Sequence, residues 1–307
     1  MTTATDSLSE QAVATGNAIG VPAASGLRCG DFVRRTLAGA QRDRLSVFAG
    51  NLAFRTLFAC FPCLFTLFWL LEAFGGTRTV QSAVGLFSTA LPTSAGAAVQ
   101  QQFAGTTADQ ARGALTIGAL VAVMVAVWAV IGAVRSLMNA LNTVAGLEES
   151  RPVWQRYLVA MALASAVTAL LAGAVILAVF GAAITRHLGQ LAGSGPVLHW
   201  AWTIVSWPVL VLAVLLAFSL VYTCAPARRA PFRWLTTGSV LATLLWLLFT
   251  VAFSVYINRF ASPTRTYGAL AGIAVLMLYL YGSAFILLLG AEMNRVIETH
   301  AAGTDRP

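Results

Sequence analysis

Asn51 and Arg55 stand one helical turn apart, and Arg135, Asn139 and Asn142 recur at i, i+4 and i+7. On helices, each set shares one face. Both lie in stretches otherwise apolar enough to cross a membrane, where a charge costs at least about 2.5 kcal/mol and needs a partner, a cavity or an escape to the interface. Glu292 and Asn294 close a third such stretch at a matching level, which makes Glu292 a candidate partner for Arg55 or Arg135. The chemistry these residues could do together is to hold an anion: two guanidinium groups and four amides outweigh one carboxylate. The competing reading is structural, a salt-bridged helix end that holds the bundle in register while its long cations snorkel to the interface.

Other reactive groups point nowhere comparable. Cys60-Phe-Pro-Cys63 has the C-x-x-C spacing of a redox dithiol, but it sits within an apolar run rather than at a helix N-terminus in a βαβ setting. These cysteines read as small hydrophobes, and Cys29 and Cys224 are too isolated to form a second pair. The histidines His187, His199 and His300 are scattered and give no H-x-x-x-H or H-E-x-x-H spacing. There is no G-x-x-x-x-G-K-[ST], no G-x-S-x-G, and no G-x-G-x-x-G in a strand-to-helix context. The expectation is a protein that is not an enzyme, with no catalytic residue, no cofactor and no metal.

The elements that must position these side chains are membrane spans. The 307 residues are 58% hydrophobic and 10% charged, with mean hydropathy +0.79, where a soluble domain carries about 25% charged residues. About 20 apolar residues cross a hydrocarbon core of about 30 Å as a helix. Six segments qualify, at 46–74, 114–143, 157–184, 201–224, 234–258 and 267–291. All should be helices, because lipid offers backbone groups no partner and barrel strands would alternate apolar and polar residues. The fold class is therefore all-α, a polytopic membrane protein with six transmembrane helices. Pro62 should kink the first helix near Arg55. Gly268 and Gly272 form a small-xxx-small pair in the sixth, and Gly290 is a further close-packing position there. Such contacts serve packing within the chain or between copies, so a homo-oligomer is among the expected partners.

All 19 basic residues are arginines. Twelve fall before the first span, in the second and fourth loops and after the sixth span: Arg28, Arg34, Arg35, Arg42, Arg44, Arg151, Arg156, Arg228, Arg229, Arg233, Arg295 and Arg306. The opposite side holds Arg78, Arg112, Arg186, Arg259 and Arg265. That bias places both termini in the cytoplasm. The formal charge of +8 then reads as topology and attraction to anionic lipid headgroups, not as a nucleic-acid surface.

Around the 46–298 transmembrane domain, residues 1–26 read as a disordered cytoplasmic tail without a signal peptide, and 299–307 as a short cytoplasmic tail. Residues 27–45 are a basic juxtamembrane helix, either lying on the inner leaflet or simply extending the first span. The 75–113 loop is extracytoplasmic and carries a helical stretch at 80–91 that stops at Pro92. Trp200, Trp202, Trp207, Trp154 and Trp234 mark span ends as interface anchors.

Three blocks, Leu52-Ala-Phe-Arg-Thr-Leu-Phe-Ala-Cys-Phe-Pro62, Ser136-Leu-Met-Asn-Ala-Leu-Asn142 with Glu148-Glu-Ser-Arg-Pro-Val-Trp154, and Pro231 to Arg295, together resemble the YihY/BrkB family of bacterial inner-membrane proteins. The last block is the most specific, with Gly238-Ser-Val-Leu-Ala-Thr-Leu-Leu-Trp246, Phe253-Ser-Val-Tyr256, Tyr267-Gly268 and Leu287-Leu-Leu-Gly-Ala-Glu-Met-Asn294 in family order. The resemblance covers about residues 30–298. Cys60 stands where the family tends to have Ser, and Ser262-Pro-Thr-Arg-Thr266 replaces the usual Asn-containing approach to Tyr-Gly. The resemblance implies a six-helix, multi-pass protein of the bacterial inner membrane, in a family associated with envelope integrity, serum resistance and lipid or solute export. Some members have carried a ribonuclease BN label, to which these residues offer no metal cluster.

The leading expectation is a transporter or flippase-like exporter whose cytoplasm-facing vestibule, with Asn51, Arg55, Arg135, Asn139, Asn142 and Glu292, accepts an anionic lipid or solute. Its partners would be membrane lipids, anionic headgroups above all, and no nucleic acid. An envelope-integrity scaffold that transports nothing is the alternative, and a ribonuclease the least supported reading. Spans one to three show no match to spans four to six that would mark inverted repeats.

Overall fold

The apolar segments meet the rule that a chain in lipid must satisfy its own backbone, and they do so as helices. The computed structural model describes residues 29–63, 66, 112–191, 195–227, 235–260 and 269–301. Among these there are seven helices and no strand: α1 Cys29–Arg42, α2 Leu45–Cys63, α3 Arg112–Ala145, α4 Val153–Leu191, α5 Gly195–Cys224, α6 Thr237–Phe260 and α7 Ala269–Ala301. Six of them, α2 to α7, are long and apolar enough to cross a membrane. The tail 1–26, most of the 75–113 loop, Trp234 and Gly268 lie outside the described residues.

Boundaries depart from the hydropathy pattern where polar groups find partners. The pattern ends the sixth span at 291, but α7 continues through Glu292 and Arg295 to Ala301. These two charges pair at i and i+3, 3.0 Å apart, and so do not stop the helix. The juxtamembrane helix is separate from the first span. It ends at Arg42, where Asp43 N donates to Gly39 O, and Arg44 turns the chain with φ of 51°, a left-handed conformation unusual for a side-chain-bearing residue. At the end of α3, Gly146 (φ 65°) supplies the left-handed residue of a Schellman cap. Leu147 N donates to Asn142 O and Gly146 N to Thr143 O. A reciprocal cap opens α6: Ser239 N donates to Thr236 Oγ1 and Thr236 N to Ser239 Oγ, each at 3.1 Å.

The described residues divide into two compact units whose boundaries fall within the chain's helices. The first draws on Met1–Ser46, Leu137–Leu247 and Ile286–Pro307, the second on Val47–Ser136 and Leu248–Phe285. In the first unit Leu45, Met138, Leu141, Val144 and Leu288 are fully buried, and α4 packs against α5. α6 meets α7 closely there: a methyl group on Gly290 would overlap the Tyr222 hydroxyl and come within 2.6 Å of Ala242 Cβ, and one on Gly238 would overlap the Gly290 carbonyl. Small residues let helices approach without a hydrophobic drive between them. The second unit buries Ala49, Ala53 and Leu57 of α2 and Ala126 and Ala133 of α3. It also stacks Phe249 on Tyr279, centroids 5.7 Å apart and planes at 17°, over Gly282, where no side chain would fit.

Candidate functional site

The six polar residues singled out on the helices divide between the two units, and each group does something different. In the second unit, Arg55 Nε donates to Asn51 Oδ1 at 2.9 Å, one turn back along α2. Ser136 Oγ donates to the same oxygen at 3.4 Å from α3. Arginine can only donate, so Asn51 must turn its oxygen toward it, leaving the amide NH₂ outward. Both residues are exposed, and among the described residues the Arg55 Nη groups meet no acceptor. Gly132 of α3 faces this fork, and a methyl group on it would stand 3.6 Å from Nη1. The site therefore presents a guanidinium fork and an amide NH₂, all donors, on one face. Arg135 is half-buried on α3 in this unit. Pro62 lies on α2, seven residues after Arg55.

In the first unit the predicted site residues hold the structure together. Glu292 is completely buried, and its ion-pair partner is Arg295 rather than Arg55 or Arg135. Arg295 also donates from Nη1 to Asp43 Oδ2 at 3.0 Å and to Val144 O at 2.9 Å, tying α7 to the end of α1 and to α3. Gly39 of α1 packs directly on the Glu292 carboxylate, and any Cβ there would overlap it. Asn142, 4% exposed, donates to Glu149 Oε2 at 2.8 Å and accepts from Ala227 N at 2.7 Å. Glu149 in turn accepts from Arg151 N, and Arg151 reaches the Ala225 and Pro226 carbonyls after α5. Arg156 adds bonds to the Arg151 and Glu149 carbonyls. Asn294 accepts from Gly238 N at 2.7 Å and donates to Thr236 Oγ1 at 3.1 Å, so α7 supplies a side-chain partner to the start of α6. Asn139 is exposed. A small cavity of about 80 Å³ between Leu141, Tyr222, Asn294, Arg295 and Glu298 has room for little beyond a few waters.

Sequence reasoning thus missed Gly39, Asp43 and Arg295 around Glu292, and Gly132 and Ser136 around Arg55. The Ala38-Gly-Ala40 run was the one sequence signal that α1 makes a close helix contact. Cys60, Cys63 and Cys224 are free thiols, each half-buried. Among the described residues, no three His, Cys, Asp or Glu side chains gather as a metal-binding group.

Relatives of the chain include proteins named as membrane proteins. The ribonuclease-like protein YfkH of Bacillus subtilis is 28% identical over 266 residues, which span 87% of this chain and 93% of that protein. A UPF0761 membrane protein of Aeromonas salmonicida is 29% identical, with 86% of this chain and 87% of the relative covered. Another from Psychromonas ingrahamii is 26% identical, covering 84% and 85%. No solved structure matches the chain. The family model described as Virulence factor BrkB matches residues 36–307, and with six helices able to span a membrane the chain belongs to that family of multi-pass bacterial membrane proteins.

Proposed function

We propose that this protein is a transporter or flippase-like exporter that gathers an anionic lipid or solute at Arg55. One observation carries the reading: an exposed guanidinium on a membrane-spanning helix, held by Asn51, whose Oδ1 also accepts from Ser136, and with Nη groups that meet no acceptor among the described residues. A planar fork matches the two oxygens of a carboxylate or phosphate, and such charge-assisted bonds are about twice as strong as neutral ones. The reading narrows the expected vestibule to Asn51, Arg55 and Ser136, with Arg135 on the same helix as Ser136. Asn142 and Glu292 are spent on internal contacts that hold helices.

The ribonuclease-like name of the Bacillus relative would require a general base to activate water or a 2′-hydroxyl, and the residues that meet at Arg55, namely Asn51, Gly132 and Ser136, include no carboxylate or imidazole. The experiment is reconstitution of the full chain into sealed vesicles, following transbilayer movement of labelled phosphatidylglycerol and release of trapped organic anions. Movement of either above empty vesicles, lost in Arg55→Gln, is the expected result. Neither moving would sink the transport reading.

A further inference from the structure

Resting on the anion-binding reading of Arg55, the geometry points to its ligand. We propose that the exposed face of α2 holds one phospholipid, its phosphate at the Arg55 and Asn51 donors and an acyl chain along Phe54, Phe58 and Phe61.

Asn51, Phe54, Arg55, Phe58 and Phe61 follow i, i+3, i+4, i+7 and i+10, so they share one side of the helix. All five are exposed, the three phenylalanines at 53%, 58% and 56%. Phe54 and Phe58 stand with ring centroids 4.6 Å apart, tilted at 44°, and form a continuous apolar strip. Beneath this strip the opposite side of the helix is buried through Leu52, Ala53, Leu57 and Ala59.

Along the helix the donors precede the rings, which is the order of head and tail in an amphiphile. Arg55 comes ten residues after Leu45, about 15 Å into the span, and its bond to Asn51 turns the side chain back about one turn toward the N-terminal end. The donors thus lie on the N-terminal side of the rings, about 10 Å along the span from Leu45. Phe58 and Phe61 follow about 4.5 and 9 Å deeper, in the hydrocarbon. A face that merely bathed in lipid tails would have no use for a charged fork, since an ionised guanidinium in hydrocarbon is costly and an anionic partner offsets that cost. A site for a free solute anion would have no use for three exposed rings continuing from it. Donors followed by an apolar strip match an amphiphile with an anionic head. Three donor groups, Nη1, Nη2 and the Asn51 amide, can each meet an oxygen of a phosphodiester.

The test separates head, tail and whole lipid. Full-length protein in detergent is examined by native mass spectrometry with phosphatidylglycerol, alone or against an excess of glycerol 3-phosphate or diacylglycerol. Wild type should retain one phosphatidylglycerol, and neither competitor in excess should displace it. Arg55→Gln should weaken retention about tenfold or more, and Arg55→Lys, which keeps the charge without the fork, by an intermediate factor. Phe58→Ala should weaken the lipid several-fold while leaving any glycerol 3-phosphate binding unchanged. If glycerol 3-phosphate competes as well as the lipid, the phospholipid assignment falls while the anion site stands. If Arg55→Gln and Arg55→Lys retain the lipid as wild type does, with all variants monodisperse, both readings fall.

Discussion

Glu292 shows how one side chain can carry a packing constraint and an electrostatic one together. Gly39 leaves room for its carboxylate and Arg295 neutralises it. We expect Gly39→Ala to destabilise the protein by about 1–3 kcal/mol, because the added methyl has nowhere to go. The shorter carboxylate in Gly39→Ala/Glu292→Asp should recover part of that loss. Thermal unfolding in detergent checks both; additive losses would show that the two residues do not share the space. Arg295→Ala should cost about 3–5 kcal/mol by removing the cation that sits 3.0 Å from the buried Glu292 carboxylate. The pair of Arg156 with Glu149, at 3.9 Å with the arginine side chain 31% exposed, contributes far less. Arg156→Ala should fall near about 1 kcal/mol, mostly from its carbonyl contacts. Equal losses in the two variants would contradict this ranking. That Glu292 needed a partner was readable from its place in an apolar run. The identity of that partner was not, because i, i+3 pairing within α7 competes with every cation that tertiary packing could bring near.

Helix ends carry the next set of consequences. Asn294 accepts the Gly238 N–H and donates to Thr236 Oγ1, so Asn294→Ala leaves a helix-start donor without its side-chain partner. We expect a loss of about 1–2 kcal/mol and faster amide exchange over 236–240, measured by exchange mass spectrometry. Exchange rising elsewhere and not there would refute the assignment. Gly146 ends α3 at φ 65°, and Gly146→Ala should cost about 1 kcal/mol for the left-handed backbone alone, since open space surrounds it. The number and kind of spans were legible because 20 apolar residues in a row have few alternatives. Their ends were less legible: α4 runs 39 residues and α7 runs 33, past the apolar stretches that mark them. A helix stops where its terminal groups find caps, and those caps come from residues such as Asn294 that are distant in sequence.

For the molecule as a whole, we propose that both termini lie in the cytoplasm, the side that the arginine distribution favours. Activity reporters fused at residue 1 and at residue 307 should both report a cytoplasmic location; one on each side would remove a span from the count. Membrane residence, helical class and span number follow from composition and run length alone, because lipid leaves the backbone one solution per apolar segment. The expectation of a vestibule rested on helical spacing, which places Asn51 beside Arg55 and Arg135 in line with Asn139 and Asn142. Spacing along one helix says nothing of what faces it. Tertiary packing buried Asn142 against Glu149 and Ala227, closed Glu292 under Gly39, and left Arg55 with its fork exposed beside Gly132. Which polar residues hold helices and which remain available to a ligand was decided by the close approach of distant segments, and no local pattern encodes that approach.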